Sequence, residues 1–335
     1  MRTEQLEFTG HDQSTLAARL DLPTGKPLAF ALFAHCFTCS KDSAAARKIA
    51  QRLASLGIAV LRFDFTGLGN SAGDFSDTTF SSNVKDLVLA AQYMEAKFQA
   101  PQVLIGHSLG GAAVLAAAKH VPAAKAVITI GSPIEPAHVS HLFSQQLDTI
   151  ESQGSTEVTL GKNTFTIKKE FLDDISATSI KQDIGTLKKA LLVLHAPLDD
   201  IVSIDNASQI FLQAKHPKSF ITLDDADHLL SNSKDASYAA EMIATWVQRY
   251  IDVDILPTPI NAPEGVVRVQ ENDAGSFTQN ISADGHPITA DEPVNYGGDY
   301  LGPTPYQLVS AGLGACTSMT IRMYANRKNI PLEKV

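Results

Sequence analysis

Val103-Leu-Ile-Gly106-His107-Ser108-Leu109-Gly110-Gly111 is the stretch on which the rest of the chain turns, and it runs on without a break into Ala112-Ala-Val-Leu-Ala-Ala-Ala118. A short apolar run followed at once by small residues reads as a buried strand that reverses into a helix. Gly106 and Gly110 flank the serine because such a reversal leaves no room for side chains, and Ser108 itself must take a strained backbone conformation. Its hydroxyl is thereby pushed out of the turn. The first N–H groups of the helix, that of Leu109 among them, face whatever negative charge develops there.

On either side of this turn the sequence alternates strand with helix. Residues 28–35 (LAFALFAH), 58–65 (IAVLRFDF), 126–130, 190–195 (ALLVLH) and 219–223 read as strands. Residues 44–54, 81–98, 207–214 and 236–250 read as helices. That alternation implies an α/β class protein with a doubly wound, mostly parallel sheet and right-handed crossovers. Residues 2–8 and 14–21, around Gly10-His11-Asp12, add an antiparallel hairpin at the sheet edge. Between residues 133 and 184 the alternation lapses. A helix-like stretch, 137–150, and a hairpin of 157–160 with 164–167 around Gly161-Lys162-Asn163 form an insertion that reads as a cap over the serine. Pro257, Pro259 and Pro263 mark a linker over 253–264. The expected plan is therefore a first domain over 1–252 and a second over 265–335.

The composition is that of an ordinary globular protein: 335 residues, 44% hydrophobic and 19% charged, with 27 basic against 36 acidic residues and a formal charge of -9. With no basic cluster, nucleic acid and anionic membrane surfaces are poor candidate partners, and a small-molecule substrate fits better. The charged N-terminus and the lack of a long apolar run lead to the expectation of a cytoplasmic protein. Three cysteines, Cys36, Cys39 and Cys316, are too few for a disulfide framework and agree with a reducing compartment.

A serine hydroxyl becomes a good nucleophile only when a base takes its proton and a carboxylate orients the base. Where the serine sits on such a turn, the partners follow in the order acid, then histidine. Strand 190–195 ends in Ala196-Pro197-Leu198-Asp199-Asp200, so Asp199 is chosen as the acid with Asp200 as rival. The last strand is followed by Asp224-Asp225-Ala226-Asp227-His228, and His228 is the candidate base. His35, His107 and His195 read as wall or core groups. A second oxyanion donor is expected from the backbone N–H of Phe37, beside that of Leu109. Cys36-Phe37-Thr38-Cys39 is also a C-x-x-C, but no thioredoxin-like helix start surrounds it, so the loop is assigned to the oxyanion and not to redox work. No metal-ligand spacing is present, Gly67-Leu68-Gly69 lacks the rest of a dinucleotide fingerprint, and no cofactor is expected. In the cap, Leu142, Phe143, Phe165, Phe171 and Leu172 are the candidate substrate-binding residues.

Taken together, HCFTCSKDS, RFDFTGLGNSAGDF, GHSLGG, HAPLDD and DADH make the first 250 or so residues resemble the compact α/β-hydrolase esterases, closest to the cinnamoyl and feruloyl esterases. The resemblance implies an α/β-hydrolase fold, a triad of Ser108, Asp199 and His228, an oxyanion hole of Phe37 and Leu109, and a small cap with a hairpin. Cys36 departs from it, standing where those enzymes usually have glycine. The implied activity is that of a serine carboxylesterase acting on short-acyl or hydroxycinnamate-type esters; amide and thioester cleavage use the same triad. Dehalogenase and epoxide chemistry would need aspartate in place of Ser108.

The tail resembles a second family, the OsmC-like proteins, through ADGHPITADEP, GGDYLGPTPYQLVSAGLGACTSMTIRMYA and Cys316 in a helix. The match covers the first half of such an α+β domain. It implies dimers that exchange elements, hence an expected homodimer through 265–335, and, in some members, a thiol peroxidase. The alternative function is then an organic hydroperoxide reductase working through Cys316. Tyr306 and Gln307 stand where peroxidase members carry a glutamate, so Cys316 is expected to be buried and inert.

Overall fold

The computed structural model describes residues 2–24, 26–161, 163–251, 260, 262–271 and 275–335. Most of the expected linker, residues 253–259 and 261, lies outside the described residues, as does Lys162 at the hairpin tip. The described residues form two compact units, one of residues 2–23 and 27–251 and one of residues 24, 26, 260 and those from 262 on.

The first unit opens with β1 (Arg2–Thr9) and β2 (Thr15–Leu22), then β3 (Ala29–Ala34), α1 (Ala44–Ser55), β4 (Ile58–Phe63), α2 (Phe80–Lys97), β5 (Val103–His107), α3 (Leu109–Ala117) and β6 (Ala126–Ile130). After the insertion come β9 (Ala190–His195), α7 (Asp205–Gln213), β10 (Lys218–Thr222) and α8 (Ser233–Val247), the insertion itself holding α4 to α6 and β7 to β8. The sheet order is β1-β2-β4-β3-β5-β6-β9-β10, with β2 antiparallel to both of its neighbours, β1 and β4, and every other pairing parallel. The strand carrying the serine turn is thus central.

Every residue of β3, β4, β5, β6 and β9 is buried, because helices cover both faces, which is why these strands are mostly apolar instead of alternating. The pleat still sorts them. Leu32 and Ala34 join the core shared with α2 and α3, while Ala31 and Phe33 join the one shared with α1 and α8. α1 has a buried stripe of Ala45, Ala46, Ile49, Ala50 and Leu53 at helical spacing. α3 buries all nine of its residues and has no polar face, so only small side chains let it sit in the centre. α2 begins at a reciprocal cap in which Thr79 and Ser82 satisfy each other's backbone N–H groups.

In the insertion, the expected helix is a run of tight turns over Pro136–Gln146, interrupted at Phe143 (φ -138°), and then α4 (Leu147–Gln153), ended by Gly154 at φ +84°. The expected hairpin is present as β7 (Ser155–Leu160) and β8 (Asn163–Lys168), paired Val158 to Phe165. Two short helices, α5 (Lys169–Ala177) and α6 (Lys181–Gly185), follow it. Neither has a long enough apolar period to stand out in the sequence.

The second unit has an antiparallel sheet of β11 (Val267–Glu271), β12 (Gln279–Ala283) and β13 (His286–Ala290), and the long helix α9 (Pro305–Lys328). Buried Asp291 accepts the N–H groups of Glu292, Asp299 and Leu301 at 2.8 to 3.1 Å and so fixes the loop before α9. Thr304 and Gln307 form the capping box that starts the helix, which gives Gln307 a structural duty. Among the described residues of this unit, α9 buries only Ala325 and leaves Cys316 exposed, so the burial expected of the thiol is not provided within the unit itself. Among the described residues, no helix is long and apolar enough to cross a membrane.

Candidate active site

β5 delivers Ser108 at φ +55° and ψ -125°, a conformation that non-glycine residues avoid. Two hydrogen bonds hold it there: the Ser108 N–H donates to Ile130 O and the Gly111 N–H to Ser108 O, each at 2.8 Å. The glycines are required by close approach. A Cβ on Gly106 would lie 2.2 Å from Gly110 O, and one on Gly110 would lie 2.4 Å from His35 O, both backbone atoms that cannot yield.

Ser108 Oγ lies 3.0 Å from His228 Nε2, and His228 Nδ1 lies 2.7 Å from Asp199 Oδ2. With Nδ1–H donating to the carboxylate, Nε2 is left as the acceptor of the serine proton. The other carboxylate oxygen, Oδ1, accepts the N–H groups of Ile201 and Val202 at 2.9 and 2.8 Å. Burial raises the affinity of the Asp199 carboxyl for a proton, but the His228 and backbone donors outweigh it and hold the group below the usual carboxylate range. Asp200, the rival acid, is exposed.

The two other histidines beside the site are framework. His107 Nε2–H donates to His228 O at 2.7 Å, and burial with the neighbouring His228 lowers its pKa to about 4. His195 Nε2–H donates to Val202 O at 2.7 Å, tying together the loop that carries Asp199, and burial lowers its pKa as well.

The loop after β3 supplies the remaining backbone donor. His35 Nδ1–H, at 2.8 Å, and the Cys39 N–H, at 3.1 Å, both donate to Cys36 O, and in a trans peptide this turns the Phe37 N–H the opposite way. Among the described residues, neither the Phe37 N–H nor the Leu109 N–H has a hydrogen-bond partner, and both residues line the cavity at Ser108. The loop is anchored by Lys41, whose ammonium meets the buried Asp64 carboxylate at 2.6 Å. Asp64 also accepts the Asn70 N–H, and a Cβ on Gly69 would collide with the same carboxylate at 2.2 Å. The glycines of RFDFTGLGNSAG are therefore there for packing.

Cys36 and Cys39 are joined by a disulfide, which three cysteines taken as agreeing with a reducing compartment do not lead one to expect. A spacing of three residues does not distinguish two thiols from a bond; the loop geometry, with Cα atoms 5.3 Å apart, does.

The cavity at Ser108 is lined by Phe37, Leu109, Pro133, His138, Val139, His141, Leu142, Ile201 and Val202. Of the five cap residues expected to bind substrate, only Leu142 is among them. Phe143, Phe171 and Leu172 are buried in the core, Phe143 and Phe171 with ring centroids 6.4 and 5.4 Å from that of Phe37, and Phe165 packs on Phe75. They back the oxyanion loop and do not face the cavity, since the most apolar side chains of the insertion are the ones the core takes. His138 and His141, stacked 4.9 Å apart, also line the cavity, and nothing in their spacing separates them in the sequence from surface histidines.

Known proteins fit this geometry. The family model described as serine aminopeptidase, S33, matches residues 26–171, and the OsmC-like protein model matches residues 297–335. The crystal structure of the esterase domain of a Rhodothermus marinus protein is 45% identical, with a TM-score of 0.62, and the match covers 75% of this chain and 100% of that one. Est1E from Butyrivibrio proteoclasticus, solved with ferulic acid bound, shares the fold at 19% identity and a TM-score of 0.60, over 73% of this chain and 99% of that one. Over 64 residues the chain is 39% identical to the mitochondrial palmitoyl-protein thioesterase ABHD10 of Mus musculus, which amounts to 19% of this chain and 20% of that protein. The chain thus spans about a fifth of the length of the curated relatives it matches. With its central elbow, its doubly wound sheet and a full-length match to a solved esterase domain, the chain belongs to the α/β-hydrolase family and carries an OsmC-like segment after it.

Proposed function

We propose that this protein is a serine carboxylesterase that forms an acyl-enzyme on Ser108 and hydrolyses short-acyl or hydroxycinnamate-type esters. The observation that carries the reading is the unbroken chain of hydrogen-bond distances from Ser108 Oγ through His228 to Asp199. Ser108 Oγ attacks the ester carbonyl carbon as its proton passes to His228 Nε2, and Asp199 stabilises the charged imidazole. The carbonyl oxygen becomes an oxyanion between the Phe37 and Leu109 N–H groups, each such donor contributing about a hundred- to a thousandfold in rate. Collapse expels the alcohol, which takes the proton from Nε2, and a water repeats the sequence to release the acid.

A thioester substrate is the second reading, favoured by the local match to a palmitoyl-protein thioesterase. The expected test result is hydrolysis of nitrophenyl and hydroxycinnamate esters and loss of that hydrolysis by three or more orders of magnitude in Ser108→Ala. An acyl adduct on Ser108 by mass spectrometry identifies the intermediate. Faster turnover of acyl thioesters than of all the oxygen esters would favour the second reading; no adduct and no turnover would overturn both. Hydroperoxide reduction by Cys316 is not favoured, because the other two cysteines are bonded to each other.

A further inference from the structure

We propose that the Cys36–Cys39 disulfide is a thiol-exchange site that sets the turnover of Ser108 by fixing the Phe37 N–H, an inference that rests on the serine-hydrolase reading above. Phe37 and Thr38 are the two residues enclosed by the bond. Thr38 sits at φ +58°, a left-handed conformation that a β-branched residue avoids and that persists only where the surroundings impose it. The disulfide is the covalent constraint across that residue. Two hydrogen bonds to Cys36 O support the same peptide, and the Cys39 N–H that donates one of them belongs to the bridged residue. Opening the bond lets Thr38 relax, moves Cys39 away from Cys36 O and releases the peptide that aims the Phe37 N–H.

The chemistry has a way in. Cys36 is buried, whereas Cys39 is half-buried and so the more accessible of the two. A thiolate of an external dithiol attacks Cys39 Sγ; the Cys36–Cys39 bond breaks and Cys36 leaves as a thiolate that takes up a proton. The second thiol of the reagent then attacks its own sulfur in the mixed disulfide, leaving as a cyclic disulfide and freeing Cys39 as a thiol. Two electrons and two protons pass to the protein, and an oxidised dithiol reverses every step. Both cysteines are positioning residues here: neither sulfur reaches the substrate, and both act through the peptide between them.

The test uses the full chain carrying Cys316→Ser, so that only this pair can react with iodoacetamide, and follows phosphonylation of Ser108 by a fluorophosphonate beside hydrolysis of a nitrophenyl ester. The probe's oxygen occupies the same oxyanion position whatever the natural substrate is. After oxidised dithiol, the denatured protein should take up no iodoacetamide; after reduced dithiol, two equivalents. Reduction should slow phosphonylation and lower kcat about tenfold or more, short of the hundred- to thousandfold expected for complete loss of one donor, with KM within about twofold. Reoxidation should restore both, and Cys39→Ser should show the low rate with no response to dithiol. Two reactive thiols after oxidation, or equal rates with the bond shown to be open, would overturn the proposal. Failure of the fluorophosphonate to label Ser108 in either state would instead bring down the hydrolase reading, and the switch with it.

Discussion

Exchanging Asp199 and Asp200 separately for asparagine isolates one oxygen atom of the site. In Asp199→Asn the Oδ1 position can still accept the N–H groups of Ile201 and Val202, so the loop keeps its shape. What changes is the atom 2.7 Å from His228 Nδ1, where an NH2 replaces an acceptor. Two donors cannot face each other at that distance in a buried site, so His228 must move its proton to Nε2 and can no longer accept from Ser108. Loss of the correct tautomer costs about four orders of magnitude in kcat for a triad of this kind, which is about 5.5 kcal/mol of transition-state stabilisation. KM should change by less than about threefold, because the carboxylate does not line the cavity. Asp200→Asn changes an exposed side chain, and its kcat should stay within about a factor of two. Steady-state kinetics on a nitrophenyl ester, with circular dichroism to confirm folding, decide it: the assignment is refuted if Asp200→Asn is the more damaging change or if Asp199→Asn keeps a tenth of the activity.

Stability should fall on acidification through the buried His107, whose pKa is lowered from 6.5 to about 4. Between those values the unfolded chain binds a proton that the folded chain refuses, so stability rises with pH across that window and up to about 3 kcal/mol is lost on going down it. Urea midpoints at pH 7 and pH 4.5 should therefore lie closer together in His107→Gln, and an unchanged difference would contradict the assignment. Widening the cavity with Leu142→Ala should shift the ester preference toward longer acyl chains, while Phe165→Ala, which loses packing on Phe75, should lower the melting temperature and leave that preference alone. For α9, whose Val309, Leu313 and Met323 are exposed, we propose cover by a second copy of the chain. Light scattering should then give a dimer that Leu313→Lys converts to a monomer, and a monomeric starting protein would dismiss the idea.

Most of what positions the site could be read from period and order along the chain. The strand at 103–107 and the helix after it are local signals, and so are the two loops that end strands 190–195 and 218–222 with Asp199 and His228. What stayed hidden depends on contacts between distant segments. Phe143, Phe171 and Leu172 look like pocket residues in sequence because they are large and apolar, yet the same property draws them into the core, Phe143 and Phe171 against Phe37. His138 and Ile201 lie 63 positions apart and meet at the cavity through a contact from the imidazole to a backbone carbonyl at 3.0 Å, for which no pattern exists. The Cys36–Cys39 bond depends on how the loop brings two Cα atoms to 5.3 Å, which the C-x-x-C spacing alone does not reveal.

The short contact from His107 to the carbonyl of His228 makes a mechanical unit of residues 120 positions apart. Ser108 and its immediate neighbour in the strand grip the same residue at two points, one on its ring and one on its backbone. The main chain of His228 thus cannot drift from the central strand without breaking a buried hydrogen bond, while Asp199 holds the ring toward the hydroxyl. Thermal motion of the loop around His228 should accordingly carry nucleophile and base together, so that the separation over which the proton travels stays narrow while the site as a whole breathes. A protein arranged in this way can let its cap and its entrance move for substrate traffic without unsettling the pair on which the chemistry depends.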